Sequence, residues 1–152
     1  MARWPRGEAE IERLLSLKHL QAVTGVAANG RPLLDKAHRT LGTAASIAST
    51  DPDSAFVLAY DAARYAATAL LTEQGLRPTT AGGHVAVESA IRAQFGDGFR
   101  NFGFRRRRRN ELEYPSAATT TSDVEEATQA VAQSRSIIEA ADQLLPNLSF
   151  FG

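Results

Sequence analysis

Residues 55–72 read AFVLAYDAARYAATALLT, and this segment dictates the architecture of the chain. Almost every position is apolar or small, so a helix built from it is apolar on all sides and has to lie in the middle of a bundle. Its alanines remove side-chain bulk and allow neighbouring helices to approach closely. Asp51 and Pro52 precede it as a cap and a first-turn proline, and Gly75 and Pro78 follow it as a stop. The sequence therefore predicts a central helix over this interval.

Four other segments carry apolar residues at helical spacing. These predicted helices cover residues 8–23, 32–49, 82–95 and 122–145. Ser122 and Glu125 have the spacing of a capping box at the start of the last one. Strand-like alternation does not extend over a useful length. We therefore expect a single all-α domain over residues 1–152, built as a four- to five-helix up-and-down bundle.

The composition limits the classes of function. A chain of 152 residues that is 43% hydrophobic and 22% charged can bury one real core. Its 17 basic and 17 acidic residues cancel, so any affinity for nucleic acid has to come from a local patch. The absence of cysteine excludes disulfides, thiolate metal sites and thiol nucleophiles, and fits a reducing compartment. No segment resembles a signal peptide or a membrane span, so a cytoplasmic location without membrane contact is expected.

The candidate patch lies in residues 104–116, FRRRRRNELEYPS. The five consecutive arginines, Arg105–Arg109, are called the arginine run below. Like charges crowded in this way repel one another unless a phosphate or carboxylate is normally nearby. The alternative is a solvated face, because the chain has fifteen arginines and only two lysines and such a bias produces arginine-rich runs by itself. On a helix, ion pairs four residues apart, Arg107 with Glu111 or Arg109 with Glu113, would neutralise part of the run.

Two further features have competing interpretations. Asp61 and Arg64 are three residues apart on the central helix, so they either form a structural ion pair or leave Arg64 directed into an anion site. The phenylalanines of the connection before the arginine run either stack bases or anchor the connection to the core, and anchoring is favoured. They are Phe95, Phe99, Phe102 and Phe104. The tail, residues 148–151, is expected to close the bundle or to meet a second subunit.

Other chemistries have less support from the sequence. His19, His38 and His84 lack the spacing of metal ligands, so we expect no metal site and no cofactor. Glycine-rich phosphate loops and nucleophile elbows are also missing from the sequence. His84, which follows two glycines at a helix start, is the one histidine that we consider for an active site. A surface or capping role for it is favoured.

Taken together, these residues resemble the HEPN superfamily, in its small stand-alone bacterial type. The resemblance is carried by Arg106, Arg109, Asn110 and Tyr114, by the Tyr-Asp-Ala-Ala-Arg segment at 60–64 and by the Gly-Gly-His turn at 82–84. It implies a dimeric four- or five-helix bundle. It also implies membership of a group in which many proteins are metal-independent ribonucleases of toxin–antitoxin or phage-defence systems.

The family's catalytic motif is an arginine followed four to six residues later by a histidine. Arg109 matches the arginine, and Tyr114 occupies the position of the histidine. A histidine with a pKa near ~6.5 can accept the proton of a ribose 2′-hydroxyl, whereas tyrosine, with a pKa near ~10, is protonated at neutral pH and serves as an acid or hydrogen-bond donor. Binding without cleavage is therefore favoured. Asn110 lies one helical turn before Tyr114, where it can orient the tyrosine or the helix end.

Three functions are compatible with these observations. The first is an RNA- or nucleotide-binding HEPN-like homodimer that has a nucleotidyltransferase or an antitoxin as partner protein. The second is an active metal-independent endoribonuclease with Arg109, Tyr114 and Asn110 as catalytic residues. The third is a non-catalytic protein-interaction bundle. The expected RNA- or phosphate-binding residues are Arg105, Arg106, Arg107, Arg108, Arg64 and Asp61.

Overall fold

The computed structural model describes residues 6–99 and 102–151, the side chains of residues 97, 98, 103 and 104 excepted. Its helices are α1 (Glu8–Ser16), α2 (Arg31–Ile47), α3 (Pro52–Glu73), α4 (Gly83–Phe95), α5 (Phe102–Glu113) and α6 (Val124–Leu144). Two short strands, β1 (Leu20–Ala22) and β2 (Leu76–Pro78), pair antiparallel. Short 3-10 turns cover Gly25–Ala27, Gly96–Phe99 and Leu145–Asn147. Helices account for 71% of the chain and strands for 4%, so the predicted all-α bundle is confirmed.

Helix α3 lies at the centre of the bundle, as predicted. It has 22 residues and begins after Asp51, whose carboxylate accepts a hydrogen bond from the Ser54 backbone N–H at 3.3 Å. Helices α2 and α6 pack against it and against each other, and α4 and α5 also pack against it. The side chains that permit this close approach are fully buried alanines, namely Ala55, Ala59, Ala62, Ala63, Ala66, Ala67 and Ala69. No helix in the described part of the chain is long and apolar enough to cross a lipid bilayer.

The prediction that the first helix reaches residue 23 is wrong. Helix α1 ends at Ser16, and Lys18 then takes a left-handed backbone conformation with φ of 59° that no helix can continue through. The chain turns into β1, whose Leu20 is buried opposite β2. The backbone at His19 and the backbone at Gly82 pack closely just beyond this sheet. A Cβ atom on Gly82 would lie 2.0 Å from the His19 carbonyl oxygen. Glycine at position 82 thus lets α4 begin against the sheet.

The start of the last helix also differs from the prediction. Helix α6 is capped by Asp123, whose carboxylate accepts the Glu126 backbone N–H at 2.7 Å, and not by the expected box of Ser122 and Glu125. The backbone N–H of Ser122 instead donates to the Asp53 carboxylate at 2.6 Å. Ser122 therefore connects the start of α6 to the first turn of α3.

The phenylalanine-rich connection is anchored to the core, as predicted. Phe99 and Phe102 are buried, and their rings stack with centroids 6.0 Å apart. The Phe95 ring lies 6.1 Å from that of Phe99, which continues the aromatic contact into α4. The side chain of Phe104 lies outside the described residues. The connection therefore fixes where α5, and with it the arginine run, leaves the core.

The tail closes one end of the bundle. Phe151 is buried, and its backbone N–H donates to the Gln74 carbonyl oxygen at 2.9 Å. The Phe150 ring covers Gly75, which has a φ of 81° and on which a Cβ atom would meet the ring at 2.5 Å. The predicted homodimer concerns contacts between chains and stays a prediction.

Candidate phosphate-binding site

Arg109 is bonded to residues of both α3 and its own helix. Its Nε and Nη2 atoms both donate to the Asp61 carboxylate at 3.3 Å, and its Nη1 atom donates to the Asn110 side-chain oxygen at 3.2 Å. The predicted ion pair with Glu113 is also formed. Burial works to lower the pKa of Arg109, but the hydrogen bond and charge of Asp61 outweigh it and raise that pKa. Arg109 is therefore a fixed cation whose donors are largely used within the protein.

Arg106 and Arg108 are bound to carboxylates as well. The Nε atom of Arg106 donates to Glu88 of α4 at 2.8 Å, and Glu88 is buried. Arg108 donates to both carboxylate oxygens of Glu126 at 3.0 and 2.9 Å and to the Thr120 carbonyl oxygen at 2.9 Å. The Glu126 hydrogen bond raises the pKa of Arg108, and the same bond lowers the pKa of Glu126. These two arginines hold α5 to its neighbours.

The remaining members of the run, Arg105 and Arg107, differ in exposure. Arg105 is partly buried, its Nη1 atom has no partner, and burial lowers its pKa. Arg107 is exposed and has no ion pair among the described residues. The i,i+4 pair with Glu111 is not formed, because Glu111 lies 3.2 Å from Arg108 instead. Three of the five arginines of the run are thus paired with carboxylates, whereas Arg105 is partly buried without a carboxylate partner within the described ranges and Arg107 is exposed.

Arg64 on α3 has a different environment. Its Nη2 atom lies 4.0 Å from the Asp61 carboxylate, too far for a hydrogen bond, and its Nε atom is buried without a partner. Its Cζ atom lies 4.8 Å from the ring centroid of Tyr65. One turn further along α3, the Thr68 hydroxyl oxygen is also buried without a partner. The predicted pair with Asp61 therefore exists only as a loose contact, and Asp61 is bound mainly to Arg109.

His84 joins these cations from the first turn of α4. Its ring centroid lies 5.9 Å from that of the buried Tyr60. Burial lowers the pKa of His84, and the positive charges of Arg64 and Arg109 lower it further, so the imidazole is neutral at pH 7. His84 is half-buried, and the surface or capping role favoured from the sequence stays a prediction. We call Arg64, His84 and Arg109, each from a different helix, the three-helix cluster.

Tyr60, Glu88 and Phe102 lie next to the cluster, and none of them is a predicted site residue. Tyr60 is buried, and burial raises its pKa, as does the charge of Glu88. Its ring meets that of Phe102 edge-on, with centroids 6.1 Å apart. A signal for this arrangement is hard to find in the sequence, because Glu88 and Phe102 approach α3 only through packing. Tyr60 is consequently a protonated hydroxyl at all physiological pH values.

Tyr114 and Asn110, the other predicted catalytic residues, lie at the edge of the cluster. Tyr114 follows the last residue of α5, and its side chain is 74% exposed. The Asn110 side chain contacts Arg109, so it helps to position the arginine. The tyrosine charge, when present, acts on Arg109, which indicates that the two side chains are near each other. Tyr114 is thus available to a ligand bound at the cluster.

The described residues contain no group of three or more side chains that could hold a metal ion. The three-helix cluster itself offers guanidinium and imidazole groups, and the phenol of Tyr114 lies at its edge. No protein-family model, curated protein or solved structure matches this chain. The HEPN resemblance accordingly stays a prediction that rests on residues 60–64, 82–84 and 106–114.

Proposed function

We propose that this protein is an HEPN-like RNA- or nucleotide-binding protein and that the three-helix cluster receives a phosphate group of the ligand. Three consecutive helices, α3, α4 and α5, supply Arg64, His84 and Arg109 to the cluster. Guanidinium groups suit phosphate because their planar N–H groups match its oxygen atoms in pairs. The proposal concerns one phosphate and its immediate surroundings.

The observation that carries the proposal is the state of Arg64. A guanidinium group has five N–H donors, and this one makes no hydrogen bond to any described residue although its side chain is only 23% exposed. Leaving a donor buried without a partner costs about 1–3 kcal/mol, and more for a charged group. A bound phosphate would supply acceptors to this side chain. Buried donors without partners commonly mark the position of a water or ion. The Thr68 hydroxyl, one helical turn from Arg64, is also buried without a partner and supports the same conclusion.

His84 and Arg109 contribute in different ways. Arg109 is held rigidly by Asp61, so its charge is in place before the ligand arrives and needs no reorganisation. His84 is neutral in the free protein and has one N–H donor to offer. An anion next to it favours the protonated imidazole, so binding would raise the pKa that burial and the arginines lower. The cluster would therefore take up part of a proton when it binds phosphate.

Replacement of Arg64 tests the proposal. Arg64→Met keeps the length and apolar stem of the side chain and removes the unbonded guanidinium, so the fold should be retained. We expect the affinity for an oligouridylate of about eight nucleotides, measured by fluorescence anisotropy at low salt, to fall at least about tenfold. Arg135→Met on α6 is the matched control, because Arg135 is exposed and remote from the cluster. It should change the affinity by less than about twofold.

Two results would contradict the proposal. One is wild-type protein that binds neither the oligouridylate nor adenosine monophosphate at low salt. The other is an Arg64→Met variant that retains its helical circular dichroism and its affinity for both. Retained helicity matters here because a loss of affinity in an unfolded variant would not report on the site.

A second function, metal-independent RNA cleavage, is favoured by one observation: the charges of two arginines act on the half-buried imidazole of His84 and favour its neutral form. In this reaction His84 would accept the proton of a ribose 2′-hydroxyl, and the 2′-oxygen would attack the phosphorus while the 5′-oxygen leaves. The imidazolium, or the exposed Tyr114 hydroxyl, would return a proton to the leaving oxygen. The products would be a 2′,3′-cyclic phosphate and a 5′-hydroxyl. The same samples, incubated with RNA and EDTA, report this reaction: cleavage lost in both His84→Gln and Arg64→Met would support it, and its absence in the wild type leaves binding alone.

A further inference from the structure

The side chain of Lys36 on α2 reaches across to α3. Its Nζ atom lies 4.5 Å from the ring centroid of Tyr65, the same ring that the Arg64 guanidinium approaches at 4.8 Å. Lys36 is exposed and pairs with no carboxylate among the described residues. One tyrosine ring therefore holds two cations, one from each of two helices, and neither cation has a close carboxylate partner.

Lys36 and Arg64 differ from the paired arginines of α5. Arg106, Arg108 and Arg109 each have a carboxylate within hydrogen-bond distance. Lys36 and Arg64 instead lie near one ring. Its electrons attract both cations but do not neutralise their charges. An ammonium group has three N–H donors, and those of Lys36 are unused within the described residues. An anion between or beside the two cations would relieve their repulsion and use those donors.

We propose that Lys36, together with Arg64, forms a second phosphate subsite next to the three-helix cluster. The ligand then carries at least two phosphate groups, and it is an RNA strand or a nucleoside diphosphate whose phosphates pass from α4 and α5 over α3 toward α2. Arg64 is common to both subsites, so this inference rests on the proposed function. Tyr65 is the positioning residue, because its ring sets where both cations lie.

The number of phosphates on the ligand separates the two subsites. Wild-type protein and two variants, Lys36→Gln and Arg135→Gln, are titrated with adenosine monophosphate, adenosine diphosphate and an oligouridylate of about eight nucleotides without terminal phosphate. For Lys36→Gln we expect an unchanged affinity for the monophosphate and a loss of about three- to tenfold for the diphosphate and the oligouridylate. The slope of log affinity against log salt for the oligouridylate should fall by about 0.7, which corresponds to one phosphate contact on a single strand. Arg135→Gln removes the same charge on α6 and should do neither.

The outcomes distinguish this inference from the function on which it rests. If none of the three ligands binds to the wild type, the proposed function fails and the subsite fails with it. If the wild type binds and Lys36→Gln changes the affinities no more than Arg135→Gln does, the subsite is refuted while the function stands. A loss of monophosphate affinity equal to the loss for the other ligands also refutes it, because Lys36 would then belong to the first site. A loss for the diphosphate alone identifies a nucleotide as the ligand, and a loss for the oligouridylate alone identifies RNA.

Discussion

The arginine run of α5, through Arg109, and the single Arg64 of α3 approach the same carboxylate, Asp61. Only Arg109 is hydrogen-bonded to it. Arg109 donates two hydrogen bonds to it, whereas Arg64 stays 4.0 Å away and bonds to nothing described. The region with the greatest density of positive charge is thus largely neutralised, and the isolated cation keeps its donors unused. The number of charges in a segment therefore says little about how many are available to a ligand. What matters is whether folding supplies each charged group with a partner when water is removed.

The largest expected effect comes from replacing Asp61, the carboxylate to which Arg109 is hydrogen-bonded. Asp61→Asn removes the less exposed of the two carboxylates that pair with the partly buried Arg109, and the loss of such a partner costs up to about 3–5 kcal/mol of unfolding free energy. Urea denaturation measures it. Glu113→Gln is the matched control, since Glu113 also pairs with Arg109 but is considerably more exposed, and it should cost less than about 1 kcal/mol. Equal effects from the two substitutions would mean that Asp61 does not hold Arg109 in solution.

An intermediate effect is expected from pH, because the charges of Arg64 and Arg109 act on the half-buried His84. Its lowered pKa means that the neutral form is favoured in the folded free protein. The stability from His84 is therefore present above its ordinary pKa of about 6.5 and is lost as pH falls through the folded value. Phosphate binding has the opposite sign, since a protonated imidazole attracts an anion. We expect the affinity for an oligouridylate without terminal phosphate to rise about three- to tenfold as pH falls from about 7.5 to about 5.5.

Two histidine variants test whether His84 causes the rise in affinity at low pH. His84→Asn should remove the rise in affinity at low pH. His38→Asn should keep it, because His38 lies on α2 and contacts Asp142 at 2.8 Å. A rise that survives in His84→Asn would assign the pH dependence to another group and would separate His84 from the binding site.

The smallest effect should come from Arg107, the exposed member of the run. Arg107→Gln removes a cation that only long-range attraction connects to the ligand, so the oligouridylate affinity at low salt should fall about twofold and the difference should vanish near 1 M salt. Arg108→Gln, whose guanidinium is already bonded to Glu126, should leave the affinity unchanged and lower the melting temperature. A larger loss of affinity in Arg108→Gln than in Arg107→Gln would show that the run, and not Arg64, faces the ligand.

Local chemistry made much of the helical fold predictable. Helix α3 follows from its composition, and its start follows from Asp51 and Pro52, since these signals act within one turn. Strands β1 and β2 were missed because three residues each are too few to show alternation. The cap of α6 was misplaced by one residue because Ser122 and Asp123 both suit the position, and a contact with Asp53 on α3 separates them.

The site was predictable only where its residues are neighbours on one helix. The proximity of Asp61 and Arg64 follows from helical geometry. The bond between Asp61 and Arg109 spans 48 residues and depends on how α5 packs on α3, so spacing does not reveal it. The same is true of Lys36 and Tyr65, which approach each other from α2 and α3. Assigning partners to charges therefore required the tertiary structure.

Arg108 has a consequence for motion near the site. It donates from α5 to the Thr120 carbonyl oxygen and to Glu126 in the first turn of α6. The Arg108 side chain thus links α5 and α6, the two helices between which the connection with Tyr114 runs. Opening of this connection can occur as a local fluctuation with a free energy well below that of global unfolding, because few buried apolar groups are involved. Release of Arg108 from its acceptors would therefore free this connection without unfolding the bundle.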